Sequence, residues 1–447
     1  MKIKLSEHFS FKKLLRFVLP SIIMMVFSSI YGVIDGMFVS NIVGSAAFTA
    51  INLVMPFLMI FGGVGFMFGT GGSAIVAKTL GEKKKEKANQ YFSMMIWVTL
   101  IVGIIISIIG IIFIRPIVQW LGNGRVEDIN IIEYGITYGR IVLIFNTAFM
   151  LQNVFQSFLI TAERPDLGLI VIIAAGVSNI LLDALFIAVF KWGIIGAAIA
   201  TGIGQCIGGI IPLLYFIFSK KNTLKFSKLK MDWRALFKAC TNGVSEFVSS
   251  ITASIVGIIY NFQLLKYIGE DGVASYGVIM YLEFVFVAIF IGYSIGCAPI
   301  VSYNFGADNK FELKNIFKKS MLFIGVTGIV MFILAEVLST PIANIFVGYN
   351  ENIKTLTIHG LRIFAFCFIF SGLNIFSSSF FTALNNGIIS AIISFLRTFV
   401  AKLIFIFVLP LIFKIDGIWL SSVVAECLTS ILCIVLLIIE RKKYQYI

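Results

Sequence analysis

Two aspartates, Asp35 and Asp183, stand inside long apolar stretches where a carboxylate is out of place. A charged side chain at the centre of a bilayer costs about 2.5–3.5 kcal/mol on insertion scales, so it persists where it faces a cavity or a partner. Asn179 precedes Asp183 by four residues, a spacing that puts both side chains on one face of a helix, one turn apart. Thr201, in the following apolar stretch, adds a hydroxyl. Two carboxylates, an amide oxygen and a hydroxyl are hard oxygen donors, suited to Na⁺ or to shared protons. The residue types do not choose between those two ions. A plainer reading pairs Asp35 and Asp183 with a packing partner such as Arg140.

Further carboxylates occur in the second half: Glu246, Glu283 and Glu426, with Arg397 and Lys402 available to neutralise them. Glu246 and Glu283 fit recognition of a cationic substrate or a proton as well as they fit structural pairing, whereas pairing is expected for Glu426. Pro20 lies fifteen residues before Asp35. Its missing N–H and bulky ring permit a bend there, either as a hinge or as a fixed kink. In the second apolar stretch Gly65 and Gly69 form a GxxxG spacing that allows close helix contact.

Other chemistries find no support. His8 and His359 are the two histidines of the chain, and HExxH does not occur, so no enzyme is indicated. GxxxxGK[ST] is absent as well, which leaves ATP-driven transport without a motif. The six cysteines include no CxxC pair, and we read them as packing residues rather than zinc ligands or disulfides. No cofactor is expected beyond a coupling ion.

The elements that position these residues must be membrane helices. Apolar residues make up 59% of 447 positions and the mean hydropathy is +1.01, well above the roughly 45–50% apolar usage of soluble domains. Runs of the ~20 apolar residues needed to cross a bilayer recur along the chain. They predict twelve spans near 17–40, 50–77, 92–114, 132–158, 167–190, 193–218, 241–265, 273–300, 318–340, 358–383, 388–413 and 417–439. The net charge of +13 sits at alternate connections rather than on one face, so it argues for topology and against nucleic acid. Lys83, Lys84, Lys85, Lys221, Lys228, Arg234, Lys314 and Lys318 mark one side, together with the N-terminal lysines and Arg441 to Lys443. The positive-inside rule then places both termini in the cytoplasm.

The two halves resemble each other. At an offset of 225, Gly44, Gly71, Gly81 and Lys85 match Gly269, Gly296, Gly306 and Lys310. At 221, Asn153, Phe155, Ser157, Thr161 and Gly196 match Asn374, Phe376, Ser378, Thr382 and Gly417. Two six-helix lobes of the same orientation follow, related by an axis along the membrane normal. The expected division is an N-lobe over 1–218, a basic cytoplasmic linker over 219–240 and a C-lobe over 241–447. In the same alignment Asp35 falls opposite Tyr260, Asn179 opposite Val400 and Asp183 opposite Ile404. The polar set belongs to the N-lobe alone.

The chain resembles the multidrug and toxic compound extrusion (MATE) family, in its bacterial DinF-like and MepA-like branch. The resemblance is carried by Pro20 to Ser40, by the glycine-rich second span running into Leu80, Gly81 and Glu82, and above all by Ser178 to Thr201. It implies an all-α fold of twelve transmembrane helices in two pseudo-symmetric lobes around a central cavity. It also implies a cation site at Asp35, Asn179, Asp183 and Thr201, a bending proline at Pro20 and an acidic residue at Glu246 that some members use. The activity implied is antiport, exporting cationic or amphiphilic compounds in exchange for Na⁺ or H⁺, by a monomer in the bacterial plasma membrane. One related branch also uses a tenth-span aspartate, where this chain offers Arg362 and Asn374. The rival function is a flippase for lipid-linked oligosaccharide, which would need a cationic cavity wall built from Arg140, Arg397 and Lys402.

Overall fold

The computed structural model describes residues 3–122, 129–219 and 223–447. Among them the chain is helical, with no strand. We number the spans α1 (Phe11–Val43), α2 (Ala46–Gly81), α3 (Lys85–Gly122), α4 (Asn130–Thr161), α5 (Pro165–Val189), α6 (Gly193–Phe218), α7 (Trp233–Tyr267), α8 (Glu270–Gly306), α9 (Lys310–Val347), α10 (Glu351–Ala365 and Cys367–Ala383), α11 (Gly387–Phe413) and α12 (Ile415–Tyr444). Eleven are each long and apolar enough to cross a bilayer, and the two pieces of α10 together make a twelfth.

The helices overrun the apolar runs that predict them, because polar caps beyond the apolar core start them earlier. Ser10, Asp232, Asn309 and Asn350 each accept a backbone N–H from the first turn of α1, α7, α9 and α10. α7 therefore begins at Trp233, within the stretch read from sequence as linker. The tenth span expected near 358–383 is present as α10, whose two pieces meet at a bend of 47° between Ala365 and Cys367. No proline or glycine sits there. The Phe366 N–H instead bonds to the Phe364 carbonyl, and Ile369 N–H to the Phe366 carbonyl, which interrupts the regular ladder.

Glycines set the helix packing. Gly65 and Gly69 lie against the backbone of Met150, Asn153 and Val154, so the GxxxG face seats α2 on α4. Between the lobes, α1 packs on α8 and α2 packs on α7 and α8. A Cβ on Gly71 would lie 2.0 Å from the Ala239 carbonyl oxygen, and one on Gly243 2.0 Å from that of Met67. Gly292 and Gly296 press likewise on Val18, Ser21 and Ile22 of α1. These contacts all fall in the halves of α1, α2, α7 and α8 nearest the termini. Farther along, Gly32, Gly257 and Gly277 have no heavy atom within 4 Å of a Cβ position. The lobes are thus joined at the end that carries both termini.

That end is strapped by the segment before α1. Leu5 N–H donates to Glu163 Oε1 at 2.9 Å, at the α4–α5 turn of the N-lobe. Phe9 N–H donates to Glu312 Oε1 at 2.9 Å, and Asn315 Nδ2 to the Phe9 carbonyl at 3.0 Å, both in α9 of the C-lobe. Leu5 and Phe9 are fully buried, so the strap is held by apolar packing as well as hydrogen bonds.

Candidate functional site

α1, α4, α5 and α6 bring the sequence-predicted N-lobe residues together. A Cβ on Gly176 of α5 would meet Phe27 and Tyr31 of α1, and one on Gly204 of α6 would meet Asn179 and Ala175 of α5. Gly202, beside Thr201, lies against the Phe145 ring of α4. These approaches, each about a turn from Asp35, Asn179 or Thr201, let four helices converge on one point. Asp183 and Asn179 are buried, Asp183 completely. The carboxyls of Asp35 and Asp183 are electrostatic neighbours. α5 turns into a π-helix from Ala184 to Val189, immediately after Asp183, and α1 does so from Val39 to Val43, four residues after Asp35. Such bulges widen the backbone and recur at functional sites.

The site is defined by polar atoms that protein groups leave unpaired. Asp35 Oδ1, both Asp183 oxygens, Asn179 Oδ1 and Thr201 Oγ1 are buried without a hydrogen-bond partner. Buried polar atoms are hydrogen-bonded in the great majority of cases, so such a cluster calls for an explanation. Hard oxygens carrying formal negative charge fit a small hard cation or a proton. Among the described residues no group of three or more His, Cys, Asp and Glu forms a metal site. The cluster has just two carboxylates, and its other donors are neutral.

Tyr138 of α4 was missed in the sequence. Its hydroxyl is buried, neighbours the Thr201 hydroxyl and lies within electrostatic reach of Asp35 and Asp183. A lone tyrosine in an apolar span carries no mark that separates it from packing tyrosines. Gln152, also on α4, reaches Tyr31 of α1 at the edge of the cluster. Arg140, the packing partner considered from sequence, is exposed, and among the described residues it makes no ion pair with either aspartate.

The matching place in the C-lobe is built differently. Tyr260, opposite Asp35 in the repeat, bonds to Ser421 and Ser422, both at 2.7 Å. Ser422 is the counterpart of Thr201 at the offset of 221. The C-lobe thus holds a neutral, satisfied hydroxyl cluster where the N-lobe holds unpaired carboxylates. Two of its own acids, Glu426 and Glu283, are paired elsewhere. Arg397 Nε lies 2.9 Å from Glu426 Oε1, and Asn374 Nδ2 donates to Glu426 Oε2 at 2.6 Å. Lys402 Nζ lies 3.9 Å from Glu283 Oε1. Glu246 makes no hydrogen bond or ion pair through its carboxylate among the described residues, and the charged group facing it is Arg397. Glu246 and Glu283 therefore lie apart from the four-residue N-lobe set.

A MatE family model matches residues 20–185 and again 247–408, one copy in each lobe. This chain belongs to the MATE family. Members of the family are membrane transporters and in general not enzymes. The multidrug export protein MepA of Staphylococcus saprophyticus is 27% identical over 440 residues, covering 96% of this chain and 94% of that protein. A solved MATE structure in the straight conformation superposes with a TM-score of 0.92 at 19% identity, covering 99% of this chain and 98% of the other. An outward-facing multidrug resistance MATE transporter superposes at 0.90 and 19% identity, with the same coverage. At those identities the structures speak for the MATE fold alone.

Proposed function

We propose that this MATE protein is a secondary antiporter that exports cationic or amphiphilic compounds in exchange for Na⁺ or H⁺. The observation that carries the reading is the buried Asp35–Asp183 pair, with unpaired oxygens from Asn179 and Thr201 beside it. When bound, the ion supplies positive charge to two carboxylates that share one site. Asp35 and Asp183 hold it, Asn179 and Thr201 complete the oxygen set, and Tyr138 can donate to whichever carboxylate is ionised. The similarity to MepA supports the drug-export class.

In this reading the lobes alternate between access to one side and the other. Pro20 acts as the hinge: α1 runs through it as continuous helix, and the adjacent Ser21 and Ile22 press on Gly292 of α8. A bend at Pro20 would therefore act directly on the joined end. The N-lobe comprises 1–218 and the C-lobe 241–447, both termini are cytoplasmic, and the protein works as a monomer in the bacterial plasma membrane. Glu246, without an ion pair among the described residues, is the candidate for contact with a cationic substrate or a proton, whereas the contact of Glu283 with Lys402 favours a structural role for that residue. The flippase alternative loses support because Arg397 and Lys402 face carboxylates.

The test is ethidium efflux from everted vesicles under imposed Na⁺ or H⁺ gradients, comparing wild type with Asp35→Asn. One gradient should drive export by the wild type, and Asp35→Asn should abolish that drive. Equal rates for both proteins under both gradients would sink the coupling role. Failure of either gradient to move any cationic dye would move the flippase reading ahead.

A further inference from the structure

The end that carries the termini has two pseudo-equivalent seams, and they differ in charge. In one, the segment before α1 crosses onto the start of α9, where Glu312 supplies the negative charge. Its Oε2 lies 2.7 Å from His8 Nδ1, and its Oε1 accepts the Phe9 N–H at 2.9 Å. In the other seam, the segment before α7 crosses onto the start of α3. The offset of 225 that relates Gly81 to Gly306 also relates Lys87 to Glu312, Lys78 to Tyr303, Arg234 to Phe9 and Lys238 to Lys13. Where one seam has its carboxylate, the other has an ammonium.

A cavity of about 420 Å³ opens at this second seam, with Lys78, Lys87, Arg234 and Lys238 in its lining against two carboxylates, Glu82 and Asp232. Both carboxylates are already engaged. Asp232 accepts the Ala235 N–H and the Tyr91 hydroxyl, each at 3.1 Å. Glu82 lies 2.8 Å from Lys84 and 3.8 Å from Lys78. Lys87, Arg234 and Lys238 have no carboxylate within 4.0 Å among the described residues, and Lys78 and Lys238, one from each lobe, repel each other. Inward-side positive charge alone does not explain this, since the equivalent positions of the first seam include a single cation. Trp233 and Phe237, exposed by 71% and 73%, flank Arg234 and Lys238 on α7. Exposed aromatics of this kind mark the depth of lipid headgroups.

We infer that this cavity holds a phosphate-bearing anion, the headgroup of an anionic lipid, which does in the second seam what Glu312 does in the first. A phosphate offers several oxygens to Arg234 and to ammonium groups from both lobes, and basic pockets between spans near the membrane surface bind such headgroups. Because its ligands come from α2 and α3 on one side and α7 on the other, the lipid binds best when the seam is closed. It biases the protein toward that state by its difference in affinity for the two states. The inference does not depend on the ion-coupling reading.

The full chain is reconstituted in nanodiscs of equal phosphatidylglycerol and phosphatidylcholine, released into detergent and weighed by native mass spectrometry. Wild type should retain phosphatidylglycerol over phosphatidylcholine. The exposed double variant R234Q/K238Q should retain about thirtyfold less, the scale set by two juxtamembrane basic residues. K13Q, the counterpart of Lys238 in the first seam, should behave as wild type. Equal retention of the two lipids by wild type, or equal phosphatidylglycerol retention by wild type and R234Q/K238Q, overturns the proposal. A parallel calorimetric titration with inorganic phosphate separates the sources: phosphate binding lost in R234Q/K238Q without lipid retention overturns the lipid assignment in favour of a free anion.

Discussion

Gly81 and Gly306 make the same contact seen from its two sides. A Cβ on Gly81 would lie 2.0 Å from the Tyr303 carbonyl oxygen, and a Cβ on Gly306 2.0 Å from that of Lys78. The offset relating the glycines also relates Lys78 to Tyr303, so α2 and α8 cross on the pseudo-two-fold axis, backbone against backbone. Gly81→Ala and Gly306→Ala should therefore part the lobes to the same extent. Each should destabilise by about 1–3 kcal/mol, as overpacking does, read as equal drops in melting temperature in detergent. Gly325→Ala, with open space at its Cβ, is the control. Melting unchanged in Gly81→Ala would show that the seam tolerates a methyl group.

Tyr138 tests the candidate cation site without touching a carboxylate. Tyr138→Phe removes a hydroxyl beside Thr201 and near both aspartates while keeping the ring packed. The loss of one hydrogen bond, about 1 kcal/mol, should weaken the apparent affinity for the coupling ion by about fivefold. The measurement is the ion dependence of dye efflux. An unchanged dependence would place Tyr138 among packing residues.

Arg397, half-buried, and Glu426, buried, form an ion pair in the C-lobe, so removing the arginine strands a buried carboxylate. Arg397→Met should cost about 3–5 kcal/mol, and adding Glu426→Gln should recover most of it. Thermal unfolding of the single and double variants decides. If the double variant is no more stable than Arg397→Met, the arginine acts through something other than this pair.

Glu312 anchors the strap. Glu312→Gln keeps the shape but removes the charge that faces His8, while Glu312→Ala also removes the acceptor of the Phe9 N–H. Hydrogen exchange over residues 3–10 should quicken slightly in the first variant and strongly in the second. Unchanged protection in Glu312→Ala would mean that burial of Leu5 and Phe9 suffices.

Asp232 caps α7 from outside the bilayer. The Ala235 N–H, and after it the Tyr91 hydroxyl, hold its carboxyl below the usual carboxylate range. A depressed value means that its stabilisation is present above the unfolded value of about 4 and fades as pH falls through the folded one. Asp232→Ala should cost about 0.5–2 kcal/mol near neutral pH, and the difference from wild type should shrink below about pH 4. A difference constant across that range would assign the effect to packing.

Much of this was legible in the sequence for a simple reason: in lipid, backbone satisfaction forces helices and a buried charge is too costly to be accidental. Composition and charge alternation determined twelve spans, the repeat determined two lobes, and Asp35, Asn179 and Asp183 stood out as polar residues whose amide and carboxylates have no match in the second half, with Thr201 beside them. The tertiary structure decided the rest. Tyr138 joins the site through the meeting of α4 with α6, a contact between residues distant in sequence whose hydroxyl has no local signature. For Glu426, a paired role was expected from the sequence, but its partner, Arg397, was identified only by their 2.9 Å contact. Charge in a span shows that a partner or a ligand must exist. Which of the two it is depends on distances between helices, and those are set by side-chain packing that no single stretch of sequence contains.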